Sequence, residues 1–358
     1  MIPKPETAKV WRRWESRFMG CGLDYNVLMR FKAEIGDWDE WCRVWCAEAA
    51  DREAFGDEAM AGGHTLTAGE AWSAATIMYH FGGMYYISDM EQFHEAHRRK
   101  LAAYAKAAPL LRPPVERIEV IFNGIRLAGC LRRPEGVTRP PVVILFNGFE
   151  GVKEEGERRL GEFHARGLAT LTWDGPGRGE TWQHLPMTGN YGPPTAAIID
   201  YLETRQDIDA GRIGVTGPNR GAFLAAKAAA HDPRIKACAA TSAGYDRRGT
   251  DWDDPYQVAF DLHLFHIDRV EALRERLNQR DLSLEGDAEK IKCPVLVIAG
   301  GRDDKSHFSG TRRFFEEVQG PKEWVVFPDA ERNGNNVPFK VRPRTADFLA
   351  DHLNASPL

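Results

Sequence analysis

A chain of 358 residues exceeds one average domain, so one large domain with an appendage, or two domains, is expected. Hydrophobic residues make up 43% of the chain, which is enough for a sizeable core. A formal net charge of -5 gives no electrostatic basis for binding nucleic acid or an anionic membrane, so we expect a small-molecule partner.

The first residues, MIPKPE, are followed by charged and aromatic residues rather than by the apolar core of a signal peptide. No run of about 18 apolar residues occurs, so we expect a soluble, cytoplasmic protein. The cysteines are scattered along the chain, which predicts buried thiols and no metal site. They are Cys21, Cys42, Cys46, Cys130, Cys238 and Cys293.

Residues 1 to about 112 carry helical patterns. Trp38, Trp41 and Trp45 recur every three or four residues, which predicts an aromatic stripe in a helical core. Residues 79–86, YHFGGMYY, hold more polar-tipped aromatic rings than packing alone requires. We therefore predict that Tyr85 and Tyr86 line a pocket against a second domain.

The end of this helical region is marked by prolines. Residues 91–107 predict one more helix, and Pro109, Pro113 and Pro114 follow it closely. We therefore predict an N-terminal helical domain over residues 1–114 and a second domain over residues 115–358.

From residue 115 onward, short apolar segments alternate with helical patterns. Asn123-Gly124 predicts a two-residue hairpin turn between the first two strands. Strands are predicted at 117–122, 125–131, 141–146, 169–173, 213–217, 236–241, 295–299 and 323–327. Helices are predicted at 154–166, 194–203 and 310–318, with one after the 213–217 strand and a helical insertion around 250–285. This alternation predicts an α/β domain with a mostly parallel sheet that carries its catalytic groups at the carboxyl ends of the strands.

Residues 213–226, IGVTGPNRGAFLAA, have the strand, sharp turn and helix of a nucleophile elbow. The usual pattern there is G-x-S-x-G, and Asn219 occupies the place of the serine. A carboxamide cannot be deprotonated near neutral pH to attack a carbonyl group. The chain therefore has the elbow without its nucleophile.

The motifs NGFEGVKEE at 147–155, WDGPGRGE at 173–180 and RPR at 342–344 resemble the α/β-hydrolase subfamily of 2,6-dihydroxypseudooxynicotine hydrolase. The resemblance spans nearly the whole chain and implies an α/β-hydrolase fold, a helical N-terminal domain that covers the site, and a homodimer. Members of that subfamily cleave carbon–carbon bonds beside a carbonyl group. Their catalytic groups are a Ser, Asp, His triad and an auxiliary Glu.

When the motifs of the subfamily are matched to this sequence, the auxiliary Glu corresponds to Glu150 and the triad Asp to Asp303. The serine corresponds to Asn219, and the segment 330–337, AERNGNNV, where the histidine is expected, contains no histidine. Because a triad works as a unit, the loss of two members argues against a covalent serine mechanism. Asp303 could equally cap the following turn together with Asp304.

The remaining groups fit the stabilisation of a negative oxygen. The Asn219 side chain and the backbone N–H of Arg220, at the start of a helix, are predicted donors, and the turn at Gly148 and Phe149 supplies a further one. Glu150 or Asp303 is the predicted acid or base. His307 could replace the missing base, and the predicted substrate pocket also includes Trp182, Tyr191 and His263.

These groups suit proton abstraction beside a carbonyl followed by loss of a leaving group, with no cofactor. The leading hypothesis is a lyase of secondary metabolism that eliminates acetate from an acetylated tetronate or β-dicarbonyl intermediate, by analogy with α/β-hydrolase-like enzymes of tetronate pathways. One alternative is a carbon–carbon bond or ester hydrolase that activates water directly. The other is a catalytically silent binding protein.

Overall fold

The computed structural model describes residues 2–246 and 251–357. By its contacts the chain divides into two compact units. The helical unit comprises Met1–Glu116, Glu154–Arg158 and Thr250–His263, and the sheet unit comprises Arg117–Lys153, Arg159–Gly249 and Leu264–Leu358. Two short segments from the region after residue 115 thus belong to the helical unit, which the sequence does not predict.

The helical unit packs around aromatic side chains. Trp38, Trp41 and Trp45 are at most 1% exposed, which confirms that the tryptophan stripe belongs to the core. The Asp37 carboxylate caps the short helical turn at Trp38 by accepting the Asp39 N–H. The main helices are α1 (Thr7–Gly20), α2 (Tyr25–Glu34), α3 (Trp41–Ala61), α4 (Thr65–Gly83) and α5 (Met90–Ala107).

The segment Glu154–Arg158 is held within this unit by a buried carboxylate. Glu155 accepts two hydrogen bonds from Arg17, at 2.7 and 2.6 Å, and its Oε2 lies 3.2 Å from Nε2 of His80. Burial alone would raise the pKa of Glu155, but the Arg17 charge and the bonds from Arg17 and His80 lower it well below its ordinary value. A buried ion pair therefore ties the segment to the helical unit.

Within the described residues, eight strands form one sheet in the order β1-β2-β4-β3-β5-β6-β7-β8. The strands are β1 (Glu116–Phe122), β2 (Ile125–Arg132), β3 (Pro141–Leu145), β4 (Ala169–Trp173), β5 (Asp209–Pro218), β6 (Ile235–Thr241), β7 (Val295–Gly300) and β8 (Lys322–Phe327). β2 runs antiparallel to β4, and the strands from β3 to β8 pair in parallel. All residues of β3, β4 and β7 are buried, as expected for strands covered on both faces.

Helices connect the parallel strands, and in the described residues none is both long and apolar enough to cross a bilayer. They are α6 (Glu157–His164), α7 (Gly192–Glu203), α8 (Arg220–His231), α9 (Pro255–Phe265), α10 (Val270–Leu277), α11 (Lys305–Glu317) and α12 (Pro338–His352). The predicted insertion around 250–285 contains α9 and α10, and its residue 250 lies outside the described part of the chain.

Two predicted helix starts are displaced by three or more residues, and one helix was not predicted. α6 begins at residue 157 rather than 154, because Gly156 has a φ of 129°, which no helix allows. α11 begins five residues before the predicted start, because the Asp304 carboxylate accepts the His307 N–H at 2.8 Å and caps the helix. α12 was not predicted, since it contains Pro343, a residue that usually ends a helix.

His164, at the end of α6, predicts an acid-dependent loss of stability. Burial, with a smaller contribution from Arg132, lowers the pKa of His164 from 6.5 to about 3. Below about pH 6.5 the unfolded chain binds a proton that the folded chain does not, so stability is complete above that pH and falls as the pH is lowered. The loss reaches at most about 1.4 kcal/mol per pH unit.

The test is urea unfolding of the wild type and of His164→Gln at pH 7 and pH 5. The glutamine can keep the hydrogen bond to Thr170, which lies 2.9 Å from the imidazole. We expect the stability difference between the two pH values to shrink by roughly 1 to 2 kcal/mol in the variant. An unchanged difference would show that His164 is not a neutral buried histidine.

Candidate active site

The elbow predicted at residues 217–221 is formed in the structure. β5 ends at Pro218, α8 begins at Arg220, and Asn219 between them has a φ of 51° and a ψ of -113°. A Cβ atom at Gly217 or Gly221 would lie 2.4 or 2.1 Å from the Phe146 carbonyl oxygen, so this crowded turn requires glycine at both positions. The strained turn of a nucleophile elbow is therefore kept, with a carboxamide at its tip.

Asn219 lines a cavity of about 410 Å³ in the sheet unit. The cavity lies at the carboxyl edge of the parallel strands, where the sequence predicts the catalytic groups. Its wall is rich in polar and charged side chains. It is lined by Phe149, Asn219, Arg220, Phe223, Ala243, Gly244, Tyr245, Asp246, Asp304, Ser306, His307, Ser309, Gly310, Arg313 and Arg332.

Three residues predicted to supply donors for a negative oxygen line this cavity. Arg220 is the first residue of α8, so its backbone N–H has no acceptor within the helix, and the helix dipole favours negative charge there. Phe149 follows β3 and lines the same cavity, and the Arg220 guanidinium lies 4.7 Å above its ring centroid. The carbonyl of Gly148 accepts from Gly151 and Arg178, which holds the turn in place. Asn219, Arg220 and Phe149 therefore line one cavity, and their role as an oxyanion hole stays a prediction.

Arg332 takes the place of the triad histidine as the partner of Asp303. Its Nε donates to Asp303 Oδ1 at 2.8 Å, and its guanidinium also pairs with Asp304. The same Asp303 oxygen accepts the Asp304 N–H at 2.8 Å, and the Asp303 side chain is 1% exposed. Oδ1 of Asp303 thus accepts from both the Arg332 guanidinium and the backbone of the turn. Arg332 also lines the cavity that contains Asn219.

His307 is the one imidazole among the described residues that line this cavity. Its Nε2 lies 2.9 Å from the carbonyl oxygen of Ser242 and 3.8 Å from Asp303 Oδ2. A carbonyl oxygen can only accept, so Nε2 carries the proton and Nδ1 is the ring atom able to take another. The structure therefore brings His307, Asn219 and Arg220 to one cavity.

Glu150 lies next to Arg220, a residue of the cavity wall. Its Oε1 lies 3.7 Å from Nη1 of Arg220, and its side chain is 9% exposed. Among the described residues, the cavity lining includes Arg220 but neither Glu150 nor Asp303. The two predicted carboxylate bases therefore lie close to the site, and each faces an arginine.

Two further polar groups of the wall, the Arg313 guanidinium and the Tyr245 hydroxyl, are held by neighbours. The guanidinium of Arg313 lies 3.9 Å above the ring of Tyr245, and its Nε donates to Glu317 at 2.8 Å. Burial and the hydrogen bond to Glu317 raise the pKa of Tyr245. Its hydroxyl thus stays protonated at neutral pH and is not a base.

The other predicted pocket residues lie elsewhere in their own units. In the helical unit, Tyr85 and Tyr86 are 4% and 1% exposed, and the His263 ring lies 6.3 Å from that of Phe93. In the sheet unit, the Trp182 carbonyl accepts from His266, and Tyr191 is fully buried with its hydroxyl bonded to Pro176. In the described part of the sheet unit, neither Trp182 nor Tyr191 lines the 410 Å³ cavity. The assignment of these five residues to a substrate pocket stays a prediction.

Arg332 is the site residue that the sequence analysis missed. It lies in the segment AERNGNNV, 29 residues after Asp303, where the triad histidine was sought. A search for any cation in that segment, rather than for histidine alone, would have found it. The role of the Ser242 carbonyl in orienting His307 has no signal in the sequence.

Comparisons with known proteins show the family of the chain. The family described as esterase FrsA-like matches residues 31–258, and the prolyl oligopeptidase family matches residues 165–356. The chain is 31% identical over 316 residues to 2,6-dihydropseudooxynicotine hydrolase of Paenarthrobacter nicotinovorans, covering 88% of this chain and 85% of the relative. It is 30% identical over 390 residues to the hydrolyase poxO of Penicillium oxalicum, covering 89% and 90% of the two chains.

Solved structures give the same result. The crystal structure of 2,6-dihydroxy-pseudo-oxynicotine hydrolase matches with a TM-score of 0.84 at 30% identity, covering 96% of this chain and 98% of that one. AbyA5 matches with a TM-score of 0.74 at 18% identity, covering 98% and 96%, which shows a shared fold alone. The predicted fold class is thereby confirmed. The chain is an enzyme of the α/β-hydrolase superfamily, in the subfamily of 2,6-dihydroxypseudooxynicotine hydrolase.

Proposed function

We propose that this enzyme is a non-hydrolytic lyase that eliminates acetate, or another carboxylate, from an acetylated tetronate or β-dicarbonyl intermediate. The observation that carries the proposal is the Asn219 carboxamide at the tip of a fully formed elbow. This side chain can donate a hydrogen bond to a negative oxygen but cannot form an acyl-enzyme. An elimination through an enolate needs a donor to the negative oxygen and does not need an acyl-enzyme.

The reaction balances with the groups of the cavity. His307 Nδ1 takes the proton from the carbon beside the carbonyl, and the bonding pair moves into the enolate. The enolate oxygen is held by the Asn219 side chain and the Arg220 backbone N–H. The pair then returns to form the alkene, the carbon–oxygen bond to the leaving group breaks, and the carboxylate departs with its electrons.

His307 is favoured over the two carboxylates as the base because of what each group contacts. Asp303 accepts from Arg332 and from a backbone N–H, and its oxygens are held in those contacts. Glu150 faces the Arg220 guanidinium at 3.7 Å. In this proposal Asp303 supports catalysis indirectly. It holds Arg332 by an ion pair, and its Oδ2 places a negative charge 3.8 Å from Nε2 of His307. Glu150 remains the alternative base.

A hydrolase that activates water directly is the second candidate. Its support is the 31% identical relative named as a hydrolase, together with a histidine tautomer able to take a proton from water. Such an enzyme would cleave an ester or carbon–carbon bond without a covalent intermediate.

Product analysis separates the two candidates. We expect the enzyme to convert an acetylated hydroxymethyl tetronate into the exocyclic alkene and acetate, with the organic product lacking the whole acetoxy group by mass spectrometry. A product that keeps the oxygen as an alcohol would show hydrolysis and refute the lyase. The heat-denatured enzyme is the control for spontaneous loss of acetate.

A further inference from the structure

Arg220 presents a partly buried cation to the candidate active site. Its Nη1 is buried, and no residue in the described part of the chain accepts a hydrogen bond from it. Glu150 Oε1, at 3.7 Å, supplies charge but lies beyond hydrogen-bond distance. A buried guanidinium nitrogen without an acceptor is costly, so a ligand oxygen that fills this place would be bound favourably.

The other two arginines of the cavity are already engaged. Arg332 is paired with Asp303 and Asp304, and Arg313 with Glu317 and the Tyr245 ring. The Arg220 guanidinium instead lies above the Phe149 ring, a contact that uses none of its hydrogen-bond donors. Arg220 therefore packs on an aromatic ring and keeps a donor nitrogen, Nη1, without an acceptor among the described residues.

We propose that Arg220 recognises a planar, delocalised oxyanion, so that the substrate is bound as an anion. This inference rests on the proposed function and narrows it to substrates that carry a delocalised anionic oxygen before His307 removes the proton. In such a substrate the carbon–oxygen bond to the leaving group breaks as the proton leaves, so that no second negative charge accumulates. Guanidinium groups suit such oxyanions because their donors form a planar fork that matches two oxygens. In a tetronate, the anion would be the ring enolate, bound by the side chain whose backbone N–H belongs to the oxyanion hole.

Binding of small anions tests this inference without turnover. Calorimetric titration would compare tetronic acid, which is an enolate at neutral pH, with its neutral O-methyl derivative and with acetate. We expect the wild type to bind tetronic acid at least about 10-fold more tightly than the neutral derivative. Competition by acetate would identify a carboxylate as the preferred anion, and its absence would identify the enolate.

Variants of Arg220 test whether this side chain causes the preference for tetronic acid over its neutral derivative. We expect Arg220→Gln to lose this preference. Its affinity for tetronic acid should fall about 10- to 100-fold, while its affinity for the neutral derivative should not change. Arg220→Lys should retain part of it, because the charge remains but the planar fork does not. Arg126→Gln, at a 72% exposed side chain on β2, changes the net charge equally and should have no effect.

Two results would overturn the inference: a wild type that binds both probes equally, or an Arg220→Gln variant that still prefers the anion. If Arg220→Gln fails to fold, the wild-type comparison and Arg220→Lys decide. Because tetronic acid carries no leaving group, the binding result is independent of whether the enzyme eliminates or hydrolyses.

Discussion

His307→Gln is expected to lower kcat by about 10²- to 10⁴-fold, the usual contribution of a positioned base, while KM changes little. The glutamine can still donate to the Ser242 carbonyl, which the imidazole contacts at 2.9 Å, so the local structure should persist. It cannot accept the substrate proton at the position of Nδ1. The measurement is steady-state kinetics of acetate release.

Two carboxamide variants are the matched controls for the base. Asp303→Asn should have a smaller effect than His307→Gln, because Asp303 acts through Arg332 and His307. Glu150→Gln should reduce kcat least if His307 is the base. If instead Glu150→Gln gives the largest loss and His307→Gln retains activity, the proton is taken by Glu150 and the assignment of His307 is wrong.

Asn219→Ser combined with Arg332→His is expected to create serine reactivity that neither change gives alone. Together they would place a serine on the existing elbow and a histidine beside Asp303, which now accepts from Arg332 at 2.8 Å. The double variant should react with a fluorophosphonate at least about 10³-fold faster than Asn219→Ser, because a serine without its base is a poor nucleophile. Intact-protein mass spectrometry measures the adduct.

The wild type and Arg332→His are the controls, since both lack the serine and should stay unlabelled. Strong labelling of Asn219→Ser alone would mean that a base already serves position 219. No labelling of a folded double variant would mean that Arg332 does not occupy the position of the triad histidine.

Local patterns were sufficient to predict most of the sheet unit. Each strand was predicted from an apolar run or an alternation, and the β4 bounds, residues 169–173, were predicted without error. The elbow was predictable because its two glycines and the alanine-rich helix lie within a few residues of one another. The crowded turn requires glycine at positions 217 and 221, and this requirement is visible directly in the sequence.

The chemistry of the site depends on contacts that local patterns do not encode. Arg332 and Asp303 belong to loops after different strands, and His307 is oriented by a backbone carbonyl after β6. For the same reason, the predicted N-terminal domain lacks the two later segments that belong to the helical unit. Glu155 joins that unit through Arg17, 138 residues earlier in the chain.

The central claim is that bond cleavage occurs without attack of water or of a side chain on the ester carbonyl. The most direct measurement is turnover of the acetylated tetronate in ¹⁸O-labelled water, with mass analysis of the released acetate. Elimination breaks the carbon–oxygen bond to the ring substituent, so we predict acetate without label. Acetate that carries one solvent oxygen would show cleavage at the acyl carbon and would contradict the account.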